Sequence, residues 1–368
     1  MGTFWTYTPV SVIPWSGNIH GAFMIGLTPG SRYCYEVGDP SLGTSSETIC
    51  FFAPSLNSNT TDEVFMAIGG DMGTYQLVGH LVAAQMRADE VSKNLKLDAF
   101  WHLGDIAYST LDPPKWNFEF FWDMYLRQEQ SLADHVPLLV TYGNHDFGGG
   151  DSAAFLNRFR NPTTGNSPTP YYWAYEHGPI KYVSMCTEVG LVPEHCDYAP
   201  GSTQYQWIEQ QLASVDRSRT PWLILVGHRP MYSSDKNTDS GPLREYIEPL
   251  LVRYGVDLEM AGHMHETEVS APVANFTANL TGVTQLDDSA WHFDNVGLPA
   301  HLTIGTLGAV ISEQYVTPEP QWSLFRKGTL LDDAYGYATM RANRTTLSFE
   351  FHRQKDNSTM WSLTMTKN

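Results

Sequence analysis

Five short stretches of this chain carry side chains that together could hold two metal ions: GGDMG, LGDIAY, YGNHD, VGHRP and AGHMH. They contribute Asp71, Asp105, Tyr108, Asn144, His228, His263 and His265. A hard trivalent cation favours anionic oxygen donors, while an intermediate divalent ion accepts imidazole nitrogen and amide oxygen. Asp71, Tyr108 and one histidine therefore suit a ferric ion, and Asn144 with two histidines suits zinc, manganese or ferrous iron. Asp105 suits a bridge, because a carboxylate has one oxygen for each ion. The GDxxY spacing lets a single loop deliver both bridge and phenolate. In GHxH two imidazoles lie on one side of an extended segment, since residues two apart point the same way. A lone Asp after a strand is ordinarily a turn or cap residue, and a lone His near a core is ordinarily structural. Seven such residues in five ordered stretches point to chemistry.

Each of these stretches ends or closely follows a run that reads as a strand. VFMAIGGDMG, DAFWHLGDIAY, VPLLVTYGNHD, PWLILVGH and VDLEMAGH are nearly continuous apolar runs, and each carries its candidate ligands at its carboxyl end. Between them, TYQLVGHLVAAQMRADEVSKNL, WNFEFFWDMYLRQEQSL, STQYQWIEQQLASV and GPLREYIEPLLVRY have apolar residues at helical spacing. Continuous apolar strands alternating with helices imply sheets covered on both faces. In such folds ligands sit beyond the carboxyl ends of strands. Toward the end of the chain, HLTIGT and YGYATMRANRTTLSFEFHR alternate instead, and the second reads as a hairpin turning at Ala342–Asn343.

The first 56 residues have a different pattern. FWTYTPV, AFMIGL and RYCYEV alternate like half-buried strands separated by turn residues. GLTPGSRYCYEV resembles the tyrosine corner of a fibronectin-type sandwich, a fold that needs about 100 residues and seven strands. Residues 1–56 are therefore read as the C-terminal part of an all-β sandwich whose beginning is missing, joined by a polar linker, NSNTTD, at 57–62.

Composition narrows the function. A length of 368 residues favours one large domain or two unequal ones, and a 42% hydrophobic content can fill a core. No stretch of about 20 apolar residues occurs, so no membrane span is expected. The net charge of −18 argues against nucleic acid, whose binding draws on Lys and Arg. An anionic substrate would need a locally positive pocket, which metal ions supply. The four cysteines lie as two close pairs, Cys34 with Cys50 and Cys186 with Cys196, although spacing alone leaves three connectivities open. Sequons at Asn59, Asn275, Asn279, Asn343 and Asn357 add to a secreted or lumenal reading (extracellular, vacuolar or lysosomal), with N-linked glycans. Against that reading, MGTFWTYTPV shows no signal peptide.

The five stretches resemble the signature of the purple acid phosphatases, a branch of the metallophosphoesterase superfamily: DxG, GDxxY, GNH(D/E), VxxH and GHxH. They stand here as Asp71–Gly73, Gly104–Tyr108, Gly143–Asp146, a looser fourth motif with Leu225 three before His228, and Gly262–His265. The resemblance covers residues 62–353, including the closing hairpin. Most metallophosphoesterases begin with DxH; here Gly73 replaces that His, and Tyr108 supplies the missing donor.

The resemblance implies Fe(III) on Asp71, Tyr108 and His265, and a divalent ion (Zn, Mn or Fe(II)) on Asn144, His228 and His263, with Asp105 bridging. It implies an acid phosphatase that hydrolyses phosphate monoesters by in-line attack of a metal-bound hydroxide. His145 resembles the family's histidine that contacts phosphate or the leaving group. Plant members carry a further His about ten residues after the fourth motif; SSDKNTDSG has none, which leaves His145, Asp235 or solvent to protonate the leaving group. Arg229, directly after His228, is a candidate phosphate contact.

The expected fold is α/β, an α+β sandwich of two packed mixed β-sheets flanked by helices. It comprises a partial fibronectin-III-like domain (1–56), a metallophosphatase catalytic domain with a C-terminal hairpin (62–353) and a tail (354–368). A small-molecule phosphate ester is the expected substrate. With no cysteine left for an interchain bond, the chain is expected as a monomer or non-covalent dimer. Two other classes remain in view. A phosphodiesterase or nucleotide pyrophosphatase would share the metal core and differ in pocket loops such as 147–170 and 231–242. A non-catalytic interaction protein would be favoured by loss of a ligand, and all seven are present. His80, His102, His135, His177, His195, His292, His301 and His352 fit no motif and are assigned to structure or surface, with His102 pointing away from the bridge.

Overall fold

The structure is a computed structural model and describes residues 4–8, 17–53, 63–74, 76–93, 96–109, 118–148, 151–162, 167–238, 240–311 and 313–368. The linker at 57–62, the sequon at Asn59, the start of the second helical run at 116–117 and parts of both substrate-loop candidates lie outside the described residues.

Two sheets pack face to face between layers of helix, the α/β sandwich that the alternating runs imply. The site-bearing strands are β1 (Val64–Gly69), β2 (Ala99–His102), β3 (Leu138–Val140), β4 (Trp222–Val226) and β5 (Leu258–Ala261). One sheet has eight strands, with β1, β2 and β3 parallel at its edge and the hairpin Gly336–Ala342 and Thr346–Arg353 beside β1. The other has seven, with Ile180–Ser184, β4, β5 and Ala300–Ile304 parallel in that order.

The continuous apolar runs follow from burial on both faces. Along β1, Met66 and Ile68 enter the core between the sheets, while Ala67 faces outward to the helices. Along β4, Trp222, Ile224 and Val226 face the opposite sheet, and Leu223 and Leu225 face the helices. A fully buried side chain of this size contributes roughly 1.5–3 kcal/mol. Direct contacts clamp the layers: Trp101 stacks on Trp173 with ring centroids 5.0 Å apart, and Trp361 Nε1 donates to Thr267 Oγ1 at 2.7 Å. Helices α1 (Leu77–Ser92) and α2 (Glu119–Ala133) cover the outer face of the first sheet.

Three local readings change. The run GPLREYIEPLLVRY forms two helices, Gly241–Tyr246 and Glu248–Tyr254, because Pro249 lacks the N–H that an unbroken helix would need there. Residues 354–368, expected as a tail, contain the strand Thr359–Thr366, paired with the closing hairpin; its alternation buries Trp361, Leu363 and Met365. Strands between 267 and 294 form beyond the GHxH stretch, where the sequence patterns predict no element.

The N-terminal residues form small antiparallel pairs: Phe4–Tyr7 with Ile19–Ala22, Arg32–Tyr35 with Ile49–Phe52, and Gly38–Asp39 with Thr44–Ser45. The Tyr33 hydroxyl accepts the Thr28 backbone N–H at 2.8 Å, and the Tyr35 hydroxyl donates to the Asp134 carbonyl at the end of α2. Both close cysteine pairs are disulfides, Cys34–Cys50 and Cys186–Cys196. No described helix is long and apolar enough to cross a membrane.

The inner face of α2 holds an unusual group. Glu129 is fully buried, neither of its oxygens has a hydrogen-bond partner among the described residues, and burial pushes its carboxyl up to about 8 from an ordinary 4.5. A carboxyl raised in the folded state favours folding below its ordinary value, and that contribution is lost as pH rises through the folded value. Glu129→Gln should therefore match the parent in thermal unfolding at pH 4 and exceed it at pH 8. Equal differences at both pH values would show that Glu129 does not hold its proton.

Candidate metal centre

All seven candidate ligands lie in loops that leave the carboxyl ends of β1 to β5, so two sheets deliver them to one edge of the sandwich. The strands stop where they do for a local reason. Asp71, Asp105, Tyr108 and His263 have left-handed backbones, with φ of 61°, 54°, 49° and 67°. Such a conformation costs an L-residue roughly 1–2 kcal/mol, least for Asp, and it persists where the surroundings hold it. Four strained non-glycine residues, all of them candidate ligands, mark this edge as a place where side-chain direction outweighs backbone comfort.

On one side lie Asp105, Asn144 and His228. His228 is fully buried, and its Nδ1 donates to the Leu103 carbonyl at 2.8 Å. Its Nε2 then faces Asn144 Oδ1 and Asp105 Oδ1, each at 3.2 Å. A neutral ring would point a lone pair at two acceptor oxygens, so something positive must sit among them. Burial pulls the His228 ring down, but the Asp105 charge, and then that of Asp71, push it up to about 10, so the surroundings favour positive charge at this place. Asp105, His228 and His263 each bring one donor atom within 4.8 Å of the others. His263 Nδ1 is buried without a partner among the described residues. The donor set thus fits a cation.

On the other side, the Tyr108 hydroxyl lies 3.2 Å from Asp71 Oδ1 and 2.9 Å from His265 Nε2. His265 Nδ1 donates to the Val310 carbonyl at 2.7 Å, leaving Nε2 as an acceptor. One hydroxyl proton cannot serve both Asp71 and His265, whereas a cation bound to all three atoms would satisfy each. Burial holds His265 and, with His228 and Arg229, His263 below the ordinary imidazole value, so their lone pairs are available.

The remaining candidates are placed as follows. The His145 ring stacks on Tyr108, with centroids 4.5 Å apart, and its backbone N–H donates to Asp105 Oδ1 at 2.8 Å. Arg229 reaches the site, but its guanidinium is engaged by Glu188, and Nη1 lies 2.9 Å from His263 Nε2. Asp235, considered for the leaving-group proton, is buried, and its two oxygens accept the N–H groups of Asn237 and Gln314. It braces a loop, and the proton is not assigned to it. His102 is buried against the Tyr125 ring of α2.

Three supporting carboxylates escaped the sequence reading of roles. Asp146 accepts the N–H groups of Asp105, Ile106 and Gly143 at 3.1, 2.9 and 2.9 Å, tying two ligand loops together. Its place inside GNHD was a usable signal. Glu313 accepts the His265 N–H at 2.7 Å, and Glu188 holds Arg229; neither lies in a motif.

Comparison with known proteins identifies the family and the fold. A family model for calcineurin-like phosphoesterases matches residues 67–267, and one for iron/zinc purple acid phosphatase-like protein C matches 298–360. Probable purple acid phosphatase 20 of Arabidopsis thaliana is 29% identical, over 93% of this chain and 72% of its own length. Probable inactive purple acid phosphatase 1 of the same plant is also 29% identical, over 98% of this chain but only 60% of its own. The purple acid phosphatase PPD1 from yellow lupin shares the fold, with a TM-score of 0.82 at 23% identity, over all of this chain and 67% of the lupin chain. Fold and strand-end loops together define a metallophosphoesterase. The chain belongs to the calcineurin-like phosphoesterase family, in its purple acid phosphatase branch.

Two glycines leave room for the carboxylates. A Cβ on Gly262 would come within 2.4 Å of Asp71 Oδ2, and one on Gly143 within 2.4 Å of Asp105 Oδ1. Gly262→Ala and Gly143→Ala should leave the protein folded by circular dichroism but weaken metal retention about 10- to 100-fold, the range for disturbed ligand support. Unchanged metal content by elemental analysis would show that the carboxylates have more freedom than these contacts allow.

Proposed function

We propose that the chain is an acid phosphatase that hydrolyses phosphate monoesters at a binuclear Fe(III)–M(II) centre, M being Zn, Mn or Fe(II). The observation that carries this reading is the meeting of the Tyr108 hydroxyl with Asp71 Oδ1 and His265 Nε2, at 3.2 and 2.9 Å, beside the second donor group around Asp105. Asp71, Tyr108 and His265 would hold the ferric ion, Asn144, His228 and His263 the divalent one, and Asp105 would bridge. When bound, the ions would supply Lewis acidity and an activated water for in-line attack at phosphorus.

The chain's own residues do the rest. Asp146 fixes the loop that carries Asp105, the glycines at 143 and 262 leave room for the carboxylates, and the carbonyls of Leu103 and Val310 orient the rings of His228 and His265. His145, laid flat on Tyr108 and anchored through its N–H, is the group assigned to meet the phosphate and protonate the leaving oxygen. Two disulfides suit an oxidising compartment, so a secreted or lumenal monomer or non-covalent dimer with N-linked glycans is the setting proposed. The paired strands before residue 53 and the Tyr33–Thr28 hydrogen bond support reading residues 1–56 as part of a fibronectin-type sandwich, set before a catalytic domain at 62–353.

The test is the visible absorption spectrum of the purified protein beside Tyr108→Phe. A broad mid-visible band that the substitution abolishes is expected from tyrosinate bound to ferric iron. A colourless protein that still contains iron and a second metal would overturn the ferric–tyrosinate assignment. A diester hydrolysed faster than a monoester would move the substrate class to phosphodiesters on the same core.

A further inference from the structure

Arg229, the candidate phosphate contact beside the site, is gripped by Thr187 and Glu188, two residues that the phosphatase reading leaves without a role. We propose that Glu188, set by Thr187, is a positioning residue that holds the Arg229 guanidinium as a clamp for a phosphoryl oxygen of the substrate. The proposal rests on the phosphatase reading and deepens it.

The geometry is that of a fork gripped from behind. Arg229 Nε lies 3.0 Å from both Glu188 oxygens, and Nη2 lies 2.9 Å from Oε2. The Glu188 side chain is 1% exposed and that of Arg229 is 29% exposed, so the carboxylate is buried while the arginine side chain still meets solvent. Thr187 completes a ring: its hydroxyl donates to Glu188 Oε1 at 2.8 Å and accepts the Arg229 backbone N–H at 3.1 Å. The segment bearing Glu188 is itself pinned. Cys186 is bonded to Cys196, and Gln204 reads the Cys186 N–H and carbonyl at 2.7 and 3.0 Å. Carboxylate, hydroxyl and guanidinium are therefore placed before any ligand arrives, which is what preorganised recognition requires.

Counting donors shows what remains for a substrate. A guanidinium has five N–H groups. Nε and one hydrogen of Nη2 go to Glu188, and one hydrogen of Nη1 faces His263 Nε2 at 2.9 Å. One hydrogen on each of Nη1 and Nη2 has no partner among the described residues. Arginine only donates, so the Nη1 contact is made to the His263 Nε2 lone pair. Charge balance fits as well. Paired with Glu188, Arg229 adds no net charge beside a cation site, yet its outer edge still offers charge-assisted bonds to an oxyanion.

An ordinary buried ion pair would do none of this. Such pairs often contribute little net stability, and their loss would be felt in the fold alone. The discriminating measurement is calorimetric titration of inorganic phosphate into metal-loaded protein, with metal content and thermal unfolding recorded for each variant. Arg229→Met and Glu188→Gln should each weaken phosphate binding about tenfold, as expected for loss of a charge-assisted contact, with metal content unchanged. The double variant should be no weaker than Arg229→Met, because Glu188 acts only through Arg229. Arg229→Lys should not restore binding, since an ammonium cannot be gripped and bind in the same plane. KM should rise more than kcat falls.

Phosphate binding unaffected by Arg229→Met would overturn the proposal, and so would additive losses in the double variant. Loss of metal in place of phosphate affinity would also overturn it, making the pair a brace for His263. If Glu188→Gln fails to fold, Thr187→Val, which removes one hydroxyl, should show a smaller loss in the same direction, and no loss would refute the role. A metal-loaded parent that neither binds phosphate nor hydrolyses monoesters would instead refute the phosphatase reading itself.

Discussion

Asp105 is a carboxylate held at 1% exposure, and much around it answers the demand of that buried charge. Burial would raise such a group, but His228, followed by His145, draws it well below the ordinary carboxylate value. His228 is held up in return by the same charge. The two form a mutual arrangement that is poor in bulk apolar surroundings and good only where positive charge is supplied. Asp146 ties the Asp105 loop to the Asn144 turn, so the buried charge and its neighbours move as one body. Taking any one of them away leaves its partners with an unmatched donor or acceptor.

Such a group has to be carried by something stiff. The two sheets supply it, because β1, β2, β4 and β5 are buried on both faces and aromatic side chains such as Trp101 and Trp173 lock the layers together. The parallel strands end at one edge, and there the chain turns into left-handed backbone at Asp71, Asp105, Tyr108 and His263. Those turns are unfavourable in isolation. They are held by hydrogen bonds that cross from one loop to the next, such as Asp71 N–H to the Gly104 carbonyl and the Gly308 and Ala309 N–H groups to the Asp71 carbonyl. Strain at the site is thus balanced by packing behind it.

Around this centre the molecule adds a second ring of carboxylates: Asp146, Glu188 and Glu313. None of them is a candidate ligand. Each takes a backbone N–H or a guanidinium that would otherwise be loose, and so converts loop residues into fixed ones. In a chain with a net charge of −18, acidic residues are plentiful, and these three are turned inward, where each finds hydrogen-bond donors. The Cys186–Cys196 disulfide and Gln204 extend the same logic one layer further out, behind Glu188.

Much of this was legible in the amino-acid order, because the information is local. Continuous apolar runs marked β1, β2, β4 and β5 as strands buried on both sides, and the ligand candidates followed each run within a few residues, so type and position were read together. The strand at Thr359–Thr366 was equally legible by its alternation and was missed only because it follows the closing hairpin. Roles that depend on distant partners were not legible. Nothing near Glu188 in the chain announces Arg229, 41 residues away, and nothing near Glu313 announces His265, 48 residues away. Asp235 had a suitable side chain at a suitable distance from His228, yet one oxygen closes a local turn with the Asn237 N–H and the other accepts the distant Gln314 N–H. Which side chains stand at the strand ends, and what chemistry they favour, follows from the order of the amino acids, since strand length and side-chain type are short-range properties. Tertiary structure alone decided which carboxylates brace the site and where Arg229 points, since those outcomes depend on which loops the two sheets bring within hydrogen-bond reach.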